Sequence, residues 1–406
     1  MRKCIRVFSV ICFFAVSAIL MFLMIGYVRI PDVMTVSEFD EMNVGKTYVC
    51  QTLTTISGRN SGAGADEYVT SIKLFNIFPI KDAKVTVTQR KYVVPGGNVF
   101  GIRLYTKGVM VIRIDEVTTP SGSQSPGKLA GLKEGDMIIS VEGVTITRNK
   151  ELSKIFADSK GKMLKMQIER DGQIKEIEIT PVLSDDSSYK GGLWIRDSTA
   201  GIGTVTWYDR TNGVFAGLGH AVCDVDTGEI MPLAGGDVVE ATVNGCYKGT
   251  AGSAGELCGV FSSGAIGELY INSSTGVYGV MNKFEKSANV LPVALKQEVK
   301  EGAVKIICTV DENGPEYYDA EITKVFSANS GTQRNLTIKI TDTRLIEKTG
   351  GIVQGMSGSP IIQNGMLVGA VTHVFLDDCT EGYGIFAENM LNTAENISTM
   401  EERKAS

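Results

Sequence analysis

Gly355-Met356-Ser357-Gly358-Ser359-Pro360, followed by Ile361-Ile362-Gln363-Asn364-Gly365-Met366-Leu367-Val368-Gly369-Ala370-Val371-Thr372-His373, is the stretch from which the rest of the chain is read. Glycines on both sides of Ser357 permit a tight turn with room for a substrate carbonyl. Such a turn lets the N–H groups of Gly355 and Ser357 point together as an oxyanion hole. Asn364-Gly365 between two apolar runs is a strong signal for a two-residue hairpin turn. The pattern holds over nineteen consecutive positions, which sets it apart from an ordinary surface turn.

A serine hydroxyl is a weak nucleophile near neutral pH and needs a positioned base, usually histidine, that later protonates the leaving amine. Only two histidines are available. His220 stands in Val214-Phe215-Ala216-Gly217-Leu218-Gly219-His220-Ala221-Val222, an apolar strand with glycines that runs into the acidic turn residues Asp224 and Asp226. A histidine at a strand end, opening on a loop, suits the base. His373 follows Ser357 within the same hairpin and reads as a structural histidine or part of the substrate wall. For a carboxylate to orient the base, Leu336-Thr337-Ile338-Lys339-Ile340-Thr341-Asp342 alternates as a half-buried strand and presents Asp342 at its end, fifteen residues ahead of Ser357. A turn-capping role for Asp342 is the plainer reading, and Asp224, Asp226 and Asp237 compete for the same task. The serine stretch resembles the nucleophile loop of chymotrypsin-like serine proteases, and the order His220, Asp342, Ser357 matches theirs. The short spacing from Asp342 to Ser357 departs from that layout, in which the acid belongs to the first barrel.

At 406 residues the chain suits two folded domains plus an anchor. Its 46 glycines against 15 phenylalanines and 2 tryptophans point to many turns and a mainly β fold. A net charge of −6 provides no basic footprint, so no nucleic-acid partner is expected. Val7 to Val28 is an uncharged run of 22 residues preceded by Arg2, Lys3 and Arg6. That length spans a bilayer, and the basic flank places the N-terminus in the cytoplasm and the remainder across the membrane. Without an Ala-x-Ala site, residues 7–28 read as an uncleaved anchor. Cys50, Cys223, Cys246, Cys258, Cys308 and Cys379 show no short repeated spacing, so free thiols are expected, with no metal site and no cofactor.

The chain divides into an anchor (1–29), a linker with a small β-extension (30–94), a peptide-binding module (95–185) and a catalytic domain (186–406). Ser57 to Ala65 is rich in small polar residues and reads as a flexible linker open to cleavage. Tyr68 to Phe75 and Ala83 to Val87 read as strands. Val109 to Ile112, Met137 to Val141 and Met163 to Glu169 predict further strands, with a helix over Asn149 to Asp158 capped by Asn149. Ser125-Pro126-Gly127-Lys128-Leu129-Ala130-Gly131-Leu132-Lys133-Glu134-Gly135-Asp136, continuing through Met137 to Gly143, resembles the core signature of PDZ domains. That resemblance places the loop that receives a peptide carboxylate at Phe100-Gly101-Ile102.

The anchor, the single PDZ module and the segments Gly192 to Thr204, Gly217-Leu218-Gly219-His220 and Thr349 to Pro360 together resemble the stage IV sporulation protein B peptidases of endospore-forming bacteria. The resemblance implies a PDZ domain joined to a chymotrypsin-like double β-barrel, with a triad of His220, Asp342 and Ser357. It further implies a forespore-membrane protease whose catalytic part faces the space between the two sporulation membranes. Its substrates would be itself and a membrane regulator of an intramembrane metalloprotease, leading to maturation of the late mother-cell sigma factor. Self-cleavage would release a soluble form. An HtrA-like quality-control protease is one alternative, although there the PDZ follows the protease. A PDZ scaffold with an inactive protease domain is another.

Overall fold

The computed structural model describes residues 2–30, 32–37, 48–56, 67–326 and 334–404, so the expected linker at 57–65 lies outside the described residues. Arg2–Arg29 is one helix. Its portion Phe8–Val28 has a mean hydropathy of 2.7 and is almost wholly exposed. It is long and apolar enough to cross a membrane, as an anchor or as a signal sequence. After it, Val33–Ser37, Phe78–Thr88, Glu67–Leu74 and Tyr48–Ile56 pair in that spatial order as the expected β-extension. Ile72, Ala83 and Val85 form its core.

Two closed barrels follow. The first consists of β1 (Val99–Ile114), β2 (Leu193–Tyr208), β3 (Val214–Gly217), β4 (Leu233–Tyr247), β5 (Glu256–Ser273) and β6 (Gly276–Met281). Antiparallel pairing runs β1-β2-β3-β6-β5-β4 and returns to β1. The second consists of β7 (Gly302–Thr309), β8 (Pro315–Val325), β9 (Leu336–Ile340), β10 (Pro360–Gln363), β11 (Met366–Val374) and β12 (Glu381–Phe386). It closes in the same order, β7-β8-β9-β12-β11-β10. Alternation along each strand turns one set of side chains inward. Phe100, Ile102 and Leu104 of β1 meet Phe215, Val238 and Leu269 inside the first barrel, with the Phe100 and Phe215 rings edge to face at 5.6 Å. Ile306, Ile322, Ile338, Ile361 and Phe386 fill the second. Trp207 and Tyr278 of the first barrel pack on Leu367, Ala370 and Ile385 of the second, and the helix Ala387–Lys404 covers this seam with Met390, Ala394 and Ile397.

Strands β1 and β2 are shared between the expected module (95–185) and the expected catalytic domain (186–406). The PDZ module is inserted into the first barrel rather than placed ahead of it. In the barrel, Phe100 to Tyr105 of β1 pair with Gly203 to Ser198 of β2. Farther along the same two strands, Met110 to Ile114 pair with Arg196 to Leu193 inside the module. Met137–Val141, Leu164–Arg170 and Gln173–Ile179 extend that sheet, and Leu152 and Phe156 of the helix Asn149–Asp158 pack on it with Val109, Val111, Ile138 and Ile168. That helix begins one residue past its cap, Arg148, because Glu151 Oε2 accepts the N–H groups of Thr147 (2.8 Å) and Arg148 (3.0 Å). Buried Asp136 accepts from Arg170 Nε and Nη2, each at 2.6 Å, and from the Lys133 N–H at 2.8 Å.

This insertion corrects the expected carboxylate loop. Phe100, Gly101 and Ile102 lie mid-strand in β1, with Gly101 opposite Ile202 on one side and Val239 on the other. Phe100 and Ile102 are buried in the barrel core. A Cβ on Gly101 would fall 2.5 Å from Phe261 Cδ1 and Val239 Cγ2, so the glycine serves close packing. A backbone paired on both edges has no free edge to offer a peptide.

If the module is an insertion, the barrel should close without it. Tyr105 and Ser198 are direct partners. Replacing residues 107–196 by Asn-Gly should therefore give a β-rich protein with one cooperative urea transition. A chain without a cooperative transition would show that the barrel depends on the module.

Candidate active site

A cavity of about 500 Å³ opens between the barrels, lined by Ile102, Ile202, Leu218 and His220 of the first and by Gly355, Ser357, His373 and Leu376 of the second. The chain leaves β3 through two residues with positive φ, Leu218 (65°) and Gly219 (71°), which turn His220 out of the sheet. A Cβ on Gly219 would lie 2.8 Å from Thr372 Cγ2, so glycine lets the first barrel touch the second beside the site. His220 Nδ1 lies 2.8 Å from the Ala221 carbonyl. A carbonyl only accepts, so Nδ1 carries the proton and Nε2 keeps its lone pair. Burial lowers the His220 pKa, partly offset by this hydrogen bond. Asn272, at the end of β5, fixes the following loop by accepting from the Val222 N–H (2.8 Å) and donating to the carbonyls of Val222 and Met231 (2.9 Å each).

Ser357 sits in the turn between Val353 and Pro360. Gly355 and Gly358 both have φ of 97°, and a Cβ on Gly358 would fall 2.0 Å from the Thr204 carbonyl oxygen. Met356 is fully buried in the second core and anchors the turn. Two strand residues of β2 reach across to it. The Thr204 N–H donates to the Ser357 carbonyl (2.9 Å), its Oγ1 to the Gly355 carbonyl (2.8 Å), and Thr206 Oγ1 to the Gly358 carbonyl (2.8 Å). Neither the Gly355 nor the Ser357 N–H has an acceptor among the described residues. Ser357 Oγ donates to the Thr372 carbonyl at 2.7 Å rather than to His220.

His373 tilts against His220, ring centroids 4.7 Å apart. Its Nδ1 is buried without a partner among the described residues, and burial, with repulsion from His220 and Arg334, holds its pKa down to about 4.

Asp342 is not brought to this cavity, which corrects its expected place in a triad. It caps the helix Thr343–Thr349, accepting from the Arg344 N–H (2.9 Å), Arg344 Nη2 (2.8 Å) and the Asp319 N–H (3.2 Å). The Arg344 guanidinium holds its carboxyl down to about 2. The competitors are also occupied. Asp224 and Asp226 bind Arg196, and Asp237 accepts from the Tyr105 hydroxyl. Ser274-Thr275, between β5 and β6, carries no carboxylate. Thr204, Thr206 and Asn272 went unread in the sequence. The signal available was the pair of threonines on alternate positions of an apolar strand, Gly203-Thr204-Val205-Thr206-Trp207.

A second cavity, about 650 Å³, lies in the PDZ module between the helix Asn149–Asp158 and the start of β2, lined by Leu152, Phe156, Tyr189, Gly192 and Leu193. The N–H groups of Gly191 and Gly192 have no acceptor among the described residues, and Gly192 has φ of 67°. Within the module, this is a place where backbone donors are left open.

Residues 187–391 match the profile of the SpoIVB peptidase S55 family. The chain belongs to that family. Residues 98–180 match the PDZ domain, so β1 of the first barrel falls outside the peptidase match. The family membership makes the chain a serine peptidase. No curated protein matches the sequence. Among solved structures, similarity is found to the PDZ domain of an SdrC-like protein from Listeria monocytogenes, 18% identical over 22% of this chain and 87% of that one, with a TM-score of 0.19. The HtrA-type protease AlgW with decapeptide is 10% identical over 75% of this chain and 65% of its own, TM-score 0.32. The inactive form of the Rv3671c protease is 16% identical over 48% and 84%, TM-score 0.26.

Thr204 should act on turnover through the nucleophile turn. Thr204→Val is expected to lower kcat about 10-fold or more with little change in KM, and Thr204→Ser to restore it, as read by steady-state peptide hydrolysis. Asp342 should act on stability. Its depressed carboxyl contributes stability above the unfolded value of about 3.9, and the contribution is lost as pH falls toward 2. Asp342→Asn should cost about 1–2 kcal/mol in urea unfolding at pH 7, discounted because Arg344 is largely exposed, and should flatten the acid limb. Its folded fraction should still react with a fluorophosphonate at Ser357.

Proposed function

We propose that the chain is a serine endopeptidase of sporulation signalling, with Ser357 as nucleophile, His220 as base, and the N–H groups of Gly355 and Ser357 as oxyanion hole. The observation that carries the reading is the joint placement of Ser357, His220 and two acceptor-free amides at one cavity. A rotation about the Ser357 side-chain bond frees Oγ from the Thr372 carbonyl. His220 Nε2 then takes its proton as Oγ attacks the substrate carbonyl, and the two N–H groups receive the oxyanion. The imidazolium returns its proton to the leaving amine, and water repeats the sequence on the acyl enzyme. The Ala221 carbonyl holds the tautomer in place of a carboxylate. Being neutral, it stabilises the imidazolium less than an aspartate would.

In the cell the reading extends to a forespore-membrane protein that cleaves itself between the apolar helix and the PDZ module. It then cuts a membrane regulator of an intramembrane metalloprotease. The groove at Gly191 to Leu193 is proposed as the peptide-docking site in place of Phe100-Gly101-Ile102, because it has both an open strand edge and unpaired amides. A scaffold with an inactive protease domain is favoured by one observation, the engagement of Ser357 Oγ with Thr372.

Blotting membrane and soluble fractions for an epitope placed after Ser406 decides between them. Wild type should yield a shorter soluble band. Ser357→Ala and His220→Ala should stay full length, while His373→Ala keeps substantial processing. A short form persisting in Ser357→Ala would assign the cut to another protease. With peptide substrate, the acid limb of kcat/KM should fall below the ordinary imidazole value of about 6.5, because burial keeps His220 neutral as pH drops.

A further inference from the structure

The cavity at Ser357 has a chemical character that the catalytic groups do not require. Its first-barrel wall is formed by Ile102, Leu218 and Val222, and its second-barrel wall by Ile352, Val353 and Val374. No aspartate, glutamate, lysine or arginine is among its lining residues. The two imidazoles and the Cys223 thiol are the titratable groups there, and His373 is held neutral by burial. The strands behind these walls are pinned by the barrel cores, so the lining is set before substrate arrives.

We infer that this cavity takes an uncharged, apolar side chain of the polypeptide substrate next to the bond that is cut. The inference rests on the peptidase reading above and names its substrate class. A charged side chain entering here leaves water and meets no countercharge among the lining residues, whereas an aliphatic or aromatic one exchanges water for carbon. The groups that would reverse this choice, a carboxylate or an ammonium on the wall, are missing from every lining position.

The test uses the full chain in detergent micelles, with Ser357→Ala beside it, on a pool of peptides of random sequence, the new termini being read by mass spectrometry. On one side of the cut, Leu, Ile, Val, Met or Phe should exceed Asp, Glu, Lys and Arg by about tenfold or more. Val374 is only partly buried, at the end of β11, so Val374→Glu should fold. That variant should raise cleavage beside Lys or Arg, relative to apolar residues, by about tenfold. Charged residues as frequent as apolar ones on both sides of the cut would overturn the inference. So would a Val374→Glu variant whose profile is unchanged. Labelling of Ser357 by a fluorophosphonate separates the two failures. A labelled enzyme without preference overturns the inference and leaves the peptidase reading standing, while an unlabelled, inactive chain overturns both.

Discussion

Everything at the active site depends on the pairing of β1 with β2. Their barrel halves close the first barrel, and from that wall Thr204 and Thr206 reach the turn that carries Ser357. A nucleophile turn built on two glycines with positive φ has no side-chain stiffness of its own, so its shape must be imposed. Three hydrogen bonds from β2 and the buried Met356 impose it. The seam of Trp207 and Tyr278 against Leu367 and Ile385 keeps the two barrels in the relation those bonds require.

The electrostatics of the site follow from the same burial. His220 and His373 face each other in a cavity with no charged lining residue; burial favours the neutral ring at both, and repulsion from His220 and Arg334 adds to it at His373. A neutral base with its Nδ1 proton on a backbone carbonyl is ready to accept a proton at Nε2, yet has little to stabilise it once charged. In the mechanism proposed above, catalytic power then leans on the N–H groups of Gly355 and Ser357, in the turn that the β2 threonines hold.

Much of this was legible in the sequence, for a physical reason in each case. The Ser357 turn and the Asn364-Gly365 hairpin are local chemistry, written within a few residues, and both are present. The strand ending near His220 and the PDZ core follow from short-range periodicity, and the helix Asn149–Asp158 has the expected bounds. The insertion was hidden because β1 runs unbroken from its barrel half into its module half, and the pairing of each half with β2, about 80 to 100 residues away, is not written in local periodicity. Phe100-Gly101-Ile102 therefore looked like a loop beside a PDZ strand. Asp342 misled differently. Its capping signature, an aspartate directly before a short helical run, was present, but a carboxylate at a strand end satisfies two readings, and long-range contacts decide between them.

The continuous β1–β2 ribbon also sets an order for folding. Phe100 and Gly203 must meet for the first barrel to close, yet they lie more than 100 residues apart in the chain. Closing so long a loop in one step is entropically unfavourable and slow. The inserted module removes most of that cost, because its own compact core holds Ile114 beside Leu193 at the far end of the same two strands. From that pair the ribbon can zip residue by residue toward Thr204, each new contact closing only a small loop. The PDZ module thereby shortens the loop that has to close before the barrel behind the nucleophile turn is complete.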